Sequence, residues 1–246
     1  MCRLLAYASS EPATLATIVG PTLSDFVELS KEHKHGWGVT TCASVGGVQE
    51  RERDLSPAVE SSLFAEVASS KPTDGALVHL RLASKGLAID LSNNHPFIHG
   101  DISFMHNGTI RPGSSIEHLI DADLLEQLTS TTDSERYFFA ILTAAKKMGL
   151  IEAIAATVKE IASTADYSAI NSITLTPDFL IAVCQFNVAE QSEWTVPFHY
   201  ELRFAKEDGA IKVASTGWGH DDWTPLTNGK MLVVNRADLS YKILDI

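Results

Sequence analysis

The chain opens with Met1-Cys2-Arg3-Leu4-Leu5-Ala6-Tyr7, in which a cysteine directly follows a methionine and precedes a short apolar stretch. Because the Cys2 side chain is small, we expect removal of Met1, which would leave a thiol and a free α-amine on one residue. An α-amine with a pKa of about 7.7 to 8.0 accepts and returns a proton near neutral pH, so the pair would combine a nucleophile with its base. The alternative is that Cys2 only packs as a small hydrophobic residue at the start of a strand over residues 3–8.

Four further segments carry polar residues where a plain core strand or loop would not need them. On the predicted strand over residues 76–82, a two-residue period puts His79 and Arg81 on one face. Asp133 is predicted to be the N-cap of a helix that runs through Met148. The four segments are His79-Leu80-Arg81-Leu82-Ala83-Ser84-Lys85-Gly86, Asn93-Asn94-His95-Pro96-Phe97, His106-Asn107-Gly108 and Asp133-Ser134-Glu135.

Composition limits the classes of partner and compartment. The chain has 246 residues, 45% of them apolar, and 31 acidic against 19 basic side chains give a formal net charge of -12. That charge repels nucleic acid and anionic membrane surfaces, so neither is expected as a partner. Three widely spaced cysteines, Cys2, Cys42 and Cys184, argue against a disulfide framework and for a reducing compartment. Apolar runs shorter than a membrane span complete the expectation of a cytoplasmic protein.

The order of predicted elements indicates the fold class. Strand-rich, helix-rich and again strand-rich segments suit an α+β protein in which two sheets pack together under helices, in a single domain over residues 1–246. The local signals are helix starts at Ser10-Glu11-Pro12, Ser56-Pro57 and Asp133, a helix start near Leu23, a helix carrying Ile151 to Ile161, and hairpin turns at Gly46-Gly47, Pro177-Asp178 and Asp208-Gly209.

Together with Met1-Cys2, the four polar segments resemble, in the right order, the class II glutamine amidotransferases of the N-terminal nucleophile (Ntn) hydrolase superfamily. The motif resemblance runs from Cys2 to about Glu135. The last third, with Ala214-Ser215-Thr216-Gly217 and Trp223-Thr224-Pro225, is similar to the small stand-alone branch of glutaminases and γ-glutamyl hydrolases. The resemblance implies a four-layer αββα sandwich of two mainly antiparallel sheets covered by helices.

The resemblance also implies roles for five residues. Cys2 would be the catalytic nucleophile, and the Asn107 side-chain amide and the Gly108 backbone N–H would form the oxyanion hole. Arg81 offers a planar fork for a carboxylate and Asp133 offers an anion for an ammonium group. The last two could therefore hold both ends of an α-amino acid head group, which is what glutamine presents.

Two further motif residues and one departure complete the comparison with the family. His79 and Ser84 are expected to support the substrate pocket, without a role in proton transfer. Many relatives carry Asp-Gly-Trp-Gly where this chain has His35-Gly36-Trp37-Gly38, which removes any hydrogen bond made by that aspartate. The glycines beside Trp37 are expected to let another backbone approach closely.

The expected reaction is hydrolysis of the γ-amide of glutamine or of a γ-glutamyl compound through a thioester on Cys2, with no metal and no organic cofactor. After the glutaminase-like part the chain leaves no room for an acceptor domain, so ammonia would be supplied to a separate partner protein. Three alternatives stay open: a γ-glutamyl hydrolase without amide transfer, a non-catalytic γ-glutamyl-binding protein, and a metal hydrolase. The last would use the histidines at 79, 95, 99 and 106, whose spacing matches no helix-borne zinc motif.

Overall fold

The structure, a computed structural model, describes residues 2–44, 47–84, 86–190 and 199–246. Its strands are β1 (Arg3–Ala13), β2 (Trp37–Cys42), β3 (Gln49–Asp54), β4 (Thr73–Leu80), β5 (Phe97–His99), β6 (Ile102–Arg111), β7 (Asp166–Leu175), β8 (Phe179–Cys184), β9 (Leu202–Glu207), β10 (Ala210–Ser215), β11 (Thr224–Leu226), β12 (Lys230–Asn235) and β13 (Tyr241–Asp245). Its α-helices are α1 (Leu15–Val19), α2 (Leu23–Glu28), α3 (Ser62–Ser70), α4 (Ala122–Leu125), α5 (Asp133–Ala145) and α6 (Leu150–Thr164). Short 3-10 turns cover Gly20–Thr22, Leu29–Lys31, Ala58–Glu60, Leu91–Asn93, Gly113–Leu119 and Val188–Glu190.

The strands form two antiparallel sheets. One has the order β11-β9-β10-β1-β4-β2-β3, and the other has the order β13-β12-β8-β7-β6-β5. An apolar cluster lies between the sheets, a second lies between the first sheet and helices α1 to α3, and a third lies between the second sheet and helices α5 and α6. These layers confirm the predicted four-layer αββα sandwich.

Strand β1 is central to the first sheet because it pairs with β4 on one side and β10 on the other. Its residues alternate as the two-residue period requires: Leu4 packs between the sheets, whereas Leu5 and Tyr7 pack under the helices. The register pairs Arg3 with Leu80. Cys2 therefore lies beside the segment that follows β4.

Two predicted helix starts are wrong by several residues. The Ser10-Glu11-Pro12 segment belongs to β1, and α1 begins after Thr14, whose hydroxyl accepts the Thr17 N–H at 3.2 Å. Similarly, α3 begins after Ser61, not at Ser56, and the Ser61 hydroxyl accepts the Phe64 N–H at 3.2 Å. In both cases a nearby Ser or Thr satisfies the free amides of the first turn, which a proline upstream does not do.

The start of α5 also differs from the prediction. Its N-cap is Thr132, whose Oγ1 accepts the Glu135 N–H at 3.2 Å, and the helix ends at Ala145 instead of Met148. Asp133 is the first helical residue. Its carboxylate is therefore free to point away from the helix axis towards other partners.

Two of the predicted hairpin turns are confirmed. Asp208 and Gly209 join β9 and β10 with φ angles of 49° and 71°, as a type I′ turn requires. Pro177 and Asp178 join β7 and β8, which pair from Leu175 and Leu180 onwards. Strands β2 and β3 pair as an antiparallel hairpin, but Gly46 of its predicted turn lies outside the described residues.

The glycines that flank Trp37 allow a close contact with the loop before β5. A Cβ on Gly38 would stand 2.0 Å from the His95 carbonyl oxygen, and one on Gly36 would stand 2.5 Å from the Asp54 carbonyl oxygen. Close approach by other backbone, which the sequence predicted, is thus confirmed. In the described part of the chain, no helix has the length and apolar character needed to cross a membrane.

Candidate active site

A cavity of about 210 Å³ lies at the end of the two sheets, where the first turn of α5 meets β6 and the segment after β4. Five separate parts of the chain supply its walls. The lining residues are Cys2, Arg81, Leu82, Ala83, Ser84, Leu87, Asn93, His95, His106, Gly108, Thr109, Thr132, Asp133 and Ser134. Five of the seven site residues expected from the sequence are among them.

Cys2 is partly buried at one wall of this cavity, and its thiol donates a long hydrogen bond to the Leu82 carbonyl oxygen at 3.7 Å. Burial raises the pKa of the thiol, whereas the positive charge of Arg81 acts in the opposite direction. A thiol in this environment needs a base to become a nucleophile. Met1 lies outside the described residues, so its removal stays a prediction.

Arg81 is buried in the cavity wall and only 3% exposed. Its Nη2 donates to the Ala88 carbonyl oxygen at 2.9 Å, while its buried Nη1 has no hydrogen-bond partner. No ion pair to Arg81 occurs among the described residues. A buried guanidinium without a counter-ion is costly, because the charge has lost its water without gaining an anion. The Arg81 guanidinium therefore favours binding of an anionic group in this cavity.

Asp133 lies across the cavity at the start of α5. Its Oδ2 accepts the Ile110 N–H at 2.7 Å, and Ser134 Oγ donates weakly to Oδ1 at 3.5 Å. Gly113 leaves room for this residue, since a Cβ there would stand 3.2 Å from the Asp133 Cα. The carboxylate is fixed by the strand, and Oδ1 keeps the capacity to accept further hydrogen bonds.

Asn107 and Gly108 lie on β6, next to an irregularity in its pairing with β7. The register shifts between Gly108 and Ile110, and Gly108 has a φ of 151°. A Cβ on Gly108 would stand 1.7 Å from the Ala169 carbonyl oxygen, so only glycine fits. Bulges of this type redirect individual groups at sheet edges and active sites.

The Asn107 side chain is 1% exposed, and neither its Nδ2 nor its Oδ1 has a hydrogen-bond partner within the described part of the chain. Buried side-chain amides are normally hydrogen-bonded. Asn107 is not itself a lining residue of the cavity, although both of its chain neighbours are. Its unpaired amide is a donor held immediately behind the cavity wall.

The structure separates the two residues expected to support the pocket. Ser84 is exposed at the cavity rim, and its hydroxyl lies 3.3 Å from the Thr109 hydroxyl. His79 is fully buried between the sheets and does not line the cavity; its ring centroid lies 4.2 Å from that of His95. Burial lowers the pKa of His79 to about 3, so the ring is neutral at physiological pH.

His35 stands where many relatives have an aspartate. Its Nδ1 accepts the Ala83 N–H at 2.9 Å, and its backbone N–H donates to the Arg81 carbonyl oxygen at 3.0 Å. The departure from the family pattern therefore keeps a hydrogen-bond acceptor at this position. The acceptor holds the segment that carries Leu82 and Ser84 against the first sheet.

Two residues in the cavity wall received no role from the family resemblance. His106 Nδ1 lies 2.9 Å from Ser134 Oγ and its Nε2 lies 3.2 Å from the Ala169 carbonyl oxygen. Asn93 accepts the Thr131 N–H at 3.0 Å and donates to the Ala88 carbonyl oxygen at 3.1 Å. Both residues belong to the quoted polar motifs. The two partners of His106 lie 28 and 63 residues away along the chain, and Thr131 lies 38 residues from Asn93. Local sequence patterns could not have predicted contacts over such separations.

Burial lowers the pKa of His106, and the nearby Asp133 carboxylate acts against that shift. Among all the described residues, including those of this cavity, no three His, Cys, Asp or Glu side chains converge in a way that could hold a metal ion.

The family model of glutamine amidotransferases class-II matches residues 1–243 of the sequence. The chain belongs to the class II glutamine amidotransferases. No curated protein has a sequence that matches it.

Solved structures share the fold of this class II glutamine amidotransferase. A glutamine aminotransferase class-II domain protein from Silicibacter pomeroyi superposes with a TM-score of 0.69 at 18% identity, over 100% of this chain and 99% of that one. A predicted glutamine amidotransferase from Pseudomonas aeruginosa gives 0.57 at 17% identity, over 100% of both chains. The glutamine phosphoribosylpyrophosphate amidotransferase of B. subtilis gives 0.64 at 16% identity over 99% of this chain, which corresponds to 49% of that enzyme. These similarities confirm the Ntn-hydrolase type of fold.

Proposed function

We propose that this amidotransferase hydrolyses the γ-amide of glutamine, or of a related γ-glutamyl compound, through a covalent thioester on Cys2. The observation that carries the proposal is the buried Arg81 guanidinium. It lacks an anionic partner among the described residues and lines the same cavity as the Cys2 thiol. An α-carboxylate would supply the missing charge and a bidentate partner for the guanidinium fork.

Asp133 supports the same orientation of the substrate. With Arg81 on the α-carboxylate, the α-ammonium group would pair with Oδ1 of Asp133, which can accept further hydrogen bonds beside its weak contact with Ser134. Fixing both charged ends directs the γ-carbonyl at the Cys2 thiol, and such positioning contributes several kcal/mol to catalysis. Ser84 would contact the substrate at the rim, and His79 would act from behind the wall by supporting His95.

The reaction would proceed in two steps once Met1 has been removed. The α-amine of Cys2 takes the thiol proton, the sulfur attacks the γ-carbonyl, and Asn107 and Gly108 donate to the oxyanion. The C–N bond then breaks, the proton passes to the leaving nitrogen, and ammonia departs. Water attacks the thioester, releases the γ-carboxylate and restores the thiol. The chemistry requires no cofactor.

The same site would also accept a γ-glutamyl compound in place of glutamine. Cleavage of a γ-glutamyl compound differs only in the leaving amine, which would extend from the cavity mouth. Ammonia would pass to a separate acceptor protein or to solvent.

Cys2, Cys42 and Cys184 are free thiols in the structure, which supports a reducing compartment such as the cytoplasm.

Intact-mass measurement combined with an activity assay tests the proposal. We expect a mass that lacks Met1, release of glutamate and ammonia from glutamine, and a covalent adduct with an electrophilic glutamine analogue. Cys2→Ala should abolish both the release of glutamate and ammonia and the covalent adduct, whereas Cys184→Ala, at a buried cysteine that does not line the cavity, should retain both. Hydrolysis that survives in Cys2→Ala would refute the thioester mechanism.

A further inference from the structure

Strand β3 carries an alternating charge pattern that the amidotransferase site does not use. Its sequence is Gln49-Glu50-Arg51-Glu52-Arg53-Asp54, so a two-residue period sends the arginines to one face and the glutamates to the other. The glutamates pair with Lys71, at 3.6 Å from Glu50 and 3.1 Å from Glu52. The arginines therefore need their partners elsewhere.

Both arginines line a second cavity of about 490 Å³, between the edge strands β3 and β5 and the start of α5. No residue of this cavity lines the amidotransferase cavity. The lining residues are Arg51, Arg53, Ser92, Phe97, Ile98, His99, Gln127, Thr129, Glu135 and Phe139. The chain has a formal net charge of -12, whereas this cavity is lined by two guanidinium groups and one carboxylate.

The one carboxylate in this cavity does not neutralise the arginines through an ion pair. Glu135 Oε2 accepts the backbone N–H groups of Thr129 and Ser130, at 3.0 and 2.6 Å, and Oε1 accepts the Thr129 hydroxyl at 2.8 Å. A carboxylate with three donors is already satisfied. Its contribution to Arg51 and Arg53 is a long-range attraction only.

The arginines keep most of their donors unused. Arg51 Nη1 donates to the Pro96 carbonyl oxygen at 3.2 Å, and Arg53 Nη1 donates to the Asn94 carbonyl oxygen at 2.7 Å. In the described part of the chain neither side chain forms a salt bridge. Burial and the neighbouring Arg51 lower the pKa of Arg53 to about 10, as expected of a cation that lacks an anion.

We propose that this second cavity binds a phosphate group, either free or as part of a phosphate monoester. Two guanidinium forks on one strand face can each give paired hydrogen bonds to a tetrahedral dianion, and their two positive charges outweigh the single negative charge of Glu135. Ser92 and His99 add polar groups at the margin of the cavity. The proposal is independent of the chemistry at Cys2, because the two cavities share no lining residue.

Titration calorimetry with inorganic phosphate at constant ionic strength tests the proposal. We expect one saturable site per chain and, in parallel, a phosphate-dependent rise in melting temperature that an equal ionic strength of chloride does not give. Arg53→Gln should weaken phosphate binding about tenfold or more, since it removes charge-assisted hydrogen bonds. Lys71→Gln removes one positive charge over the opposite face of the same strand and should bind phosphate like the unaltered protein.

Arg53 also donates a hydrogen bond to the Asn94 carbonyl oxygen, so a second variant tests phosphate binding without disturbing that loop. Gln127→Glu adds a carboxylate to the cavity without touching Arg51, Arg53 or their carbonyl partners, and it should weaken phosphate binding several-fold. Absence of saturable binding at tens of millimolar phosphate would overturn the proposal. So would equal affinity in Arg53→Gln, or binding of succinate as tight as that of phosphate.

Discussion

Replacement of Arg81 by methionine distinguishes a substrate-binding arginine from a structural one. The change removes the hydrogen bond from Nη2 to the Ala88 carbonyl oxygen, which contributes about 1 kcal/mol. It also removes a buried charge that has no counter-ion in the described structure, which relieves a desolvation cost. We therefore expect the free energy of unfolding to stay within about 1 kcal/mol of the original value.

Activity should respond very differently. A carboxylate held by two charge-assisted hydrogen bonds gains about 1.5 to 3 kcal/mol from each. Losing both should lower kcat/KM for glutamine by about 10² to 10⁴-fold. Glutamate, the product that retains the α-carboxylate, should raise the melting temperature of the unaltered protein but not that of Arg81→Met.

Arg236 provides the matched control, because it is a buried arginine whose two terminal nitrogens have partners. It is 4% exposed, forms an ion pair with Asp74 at 2.7 Å, and donates to the carbonyl oxygens of Cys42 and Thr176, each at 2.6 Å. Arg236→Met should lower the free energy of unfolding by about 3 to 5 kcal/mol, since it leaves the Asp74 carboxylate without its counter-ion. For a chain of this length, that loss lowers the melting temperature by about 6 to 20 °C.

Thermal unfolding followed by circular dichroism and steady-state kinetics, both on Arg81→Met and Arg236→Met, distinguish a substrate-binding Arg81 from a structural one. If Arg81→Met loses as much stability as Arg236→Met while kcat/KM stays unchanged, Arg81 is structural and the substrate-binding reasoning is refuted. Arg81→Lys adds a further check, because it keeps the charge without the planar fork and should recover only part of the activity.

Three other perturbations follow from the site geometry. Gly108→Ala should lower the free energy of unfolding by about 3 kcal/mol or more, because its Cβ would stand 1.7 Å from the Ala169 carbonyl oxygen. Gly149→Ala, where a Cβ would have nothing within 4 Å, should lower it by about 1 kcal/mol or less. Equal melting temperatures for the two variants would contradict this prediction. Asn107→Ala should lower kcat about 10² to 10³-fold with little loss of stability, since its amide has no partner among the described residues. An unchanged kcat would contradict a role of Asn107 in the oxyanion hole. Because burial lowers the pKa of His79 from 6.5 to about 3, its contribution to stability is complete above pH 6.5 and is lost as the pH falls towards 3. Urea unfolding should show this loss as about 2 kcal/mol between pH 6.5 and 5, and His79→Gln should reduce the pH dependence by that amount; an identical pH dependence in the variant would show that His79 is not buried as a neutral ring.

The sequence predicted the layers and the family from signals that are local or ordered along the chain. On β4 the neighbouring residues Leu77 and Val78 lie in different apolar clusters, as the two-residue period of the predicted strand over residues 76–82 requires. Asp208 and Gly209 predicted their turn because few residue pairs tolerate two positive φ angles. The ordered set of polar motifs after Cys2 indicated the family, which the family match confirms. The single domain over residues 1–246 stays a prediction.

Helix starts were less predictable because several neighbouring residues can act as the cap. Ser56 and Ser61 both have the chemistry of an N-cap, and so do Thr132 and Asp133. Which one accepts the first-turn amide depends on where the helix docks. In α5 the choice of Thr132 leaves Asp133 free to accept the Ile110 N–H from β6, a contact across 23 residues of sequence.

What the sequence determined is which residue types stand in which order: a cysteine behind Met1, an arginine after a buried strand, an Asn-Gly pair, and an acid at a helix start. Only the tertiary structure decided which of them meet. It brings Cys2, Arg81, Gly108 and Asp133 to one cavity, and it leaves His79 behind the wall. It also leaves the Arg81 guanidinium without a counter-ion in the described chain. The reason is physical: local pattern fixes which face a side chain occupies, whereas its partners lie on strands and helices many residues away.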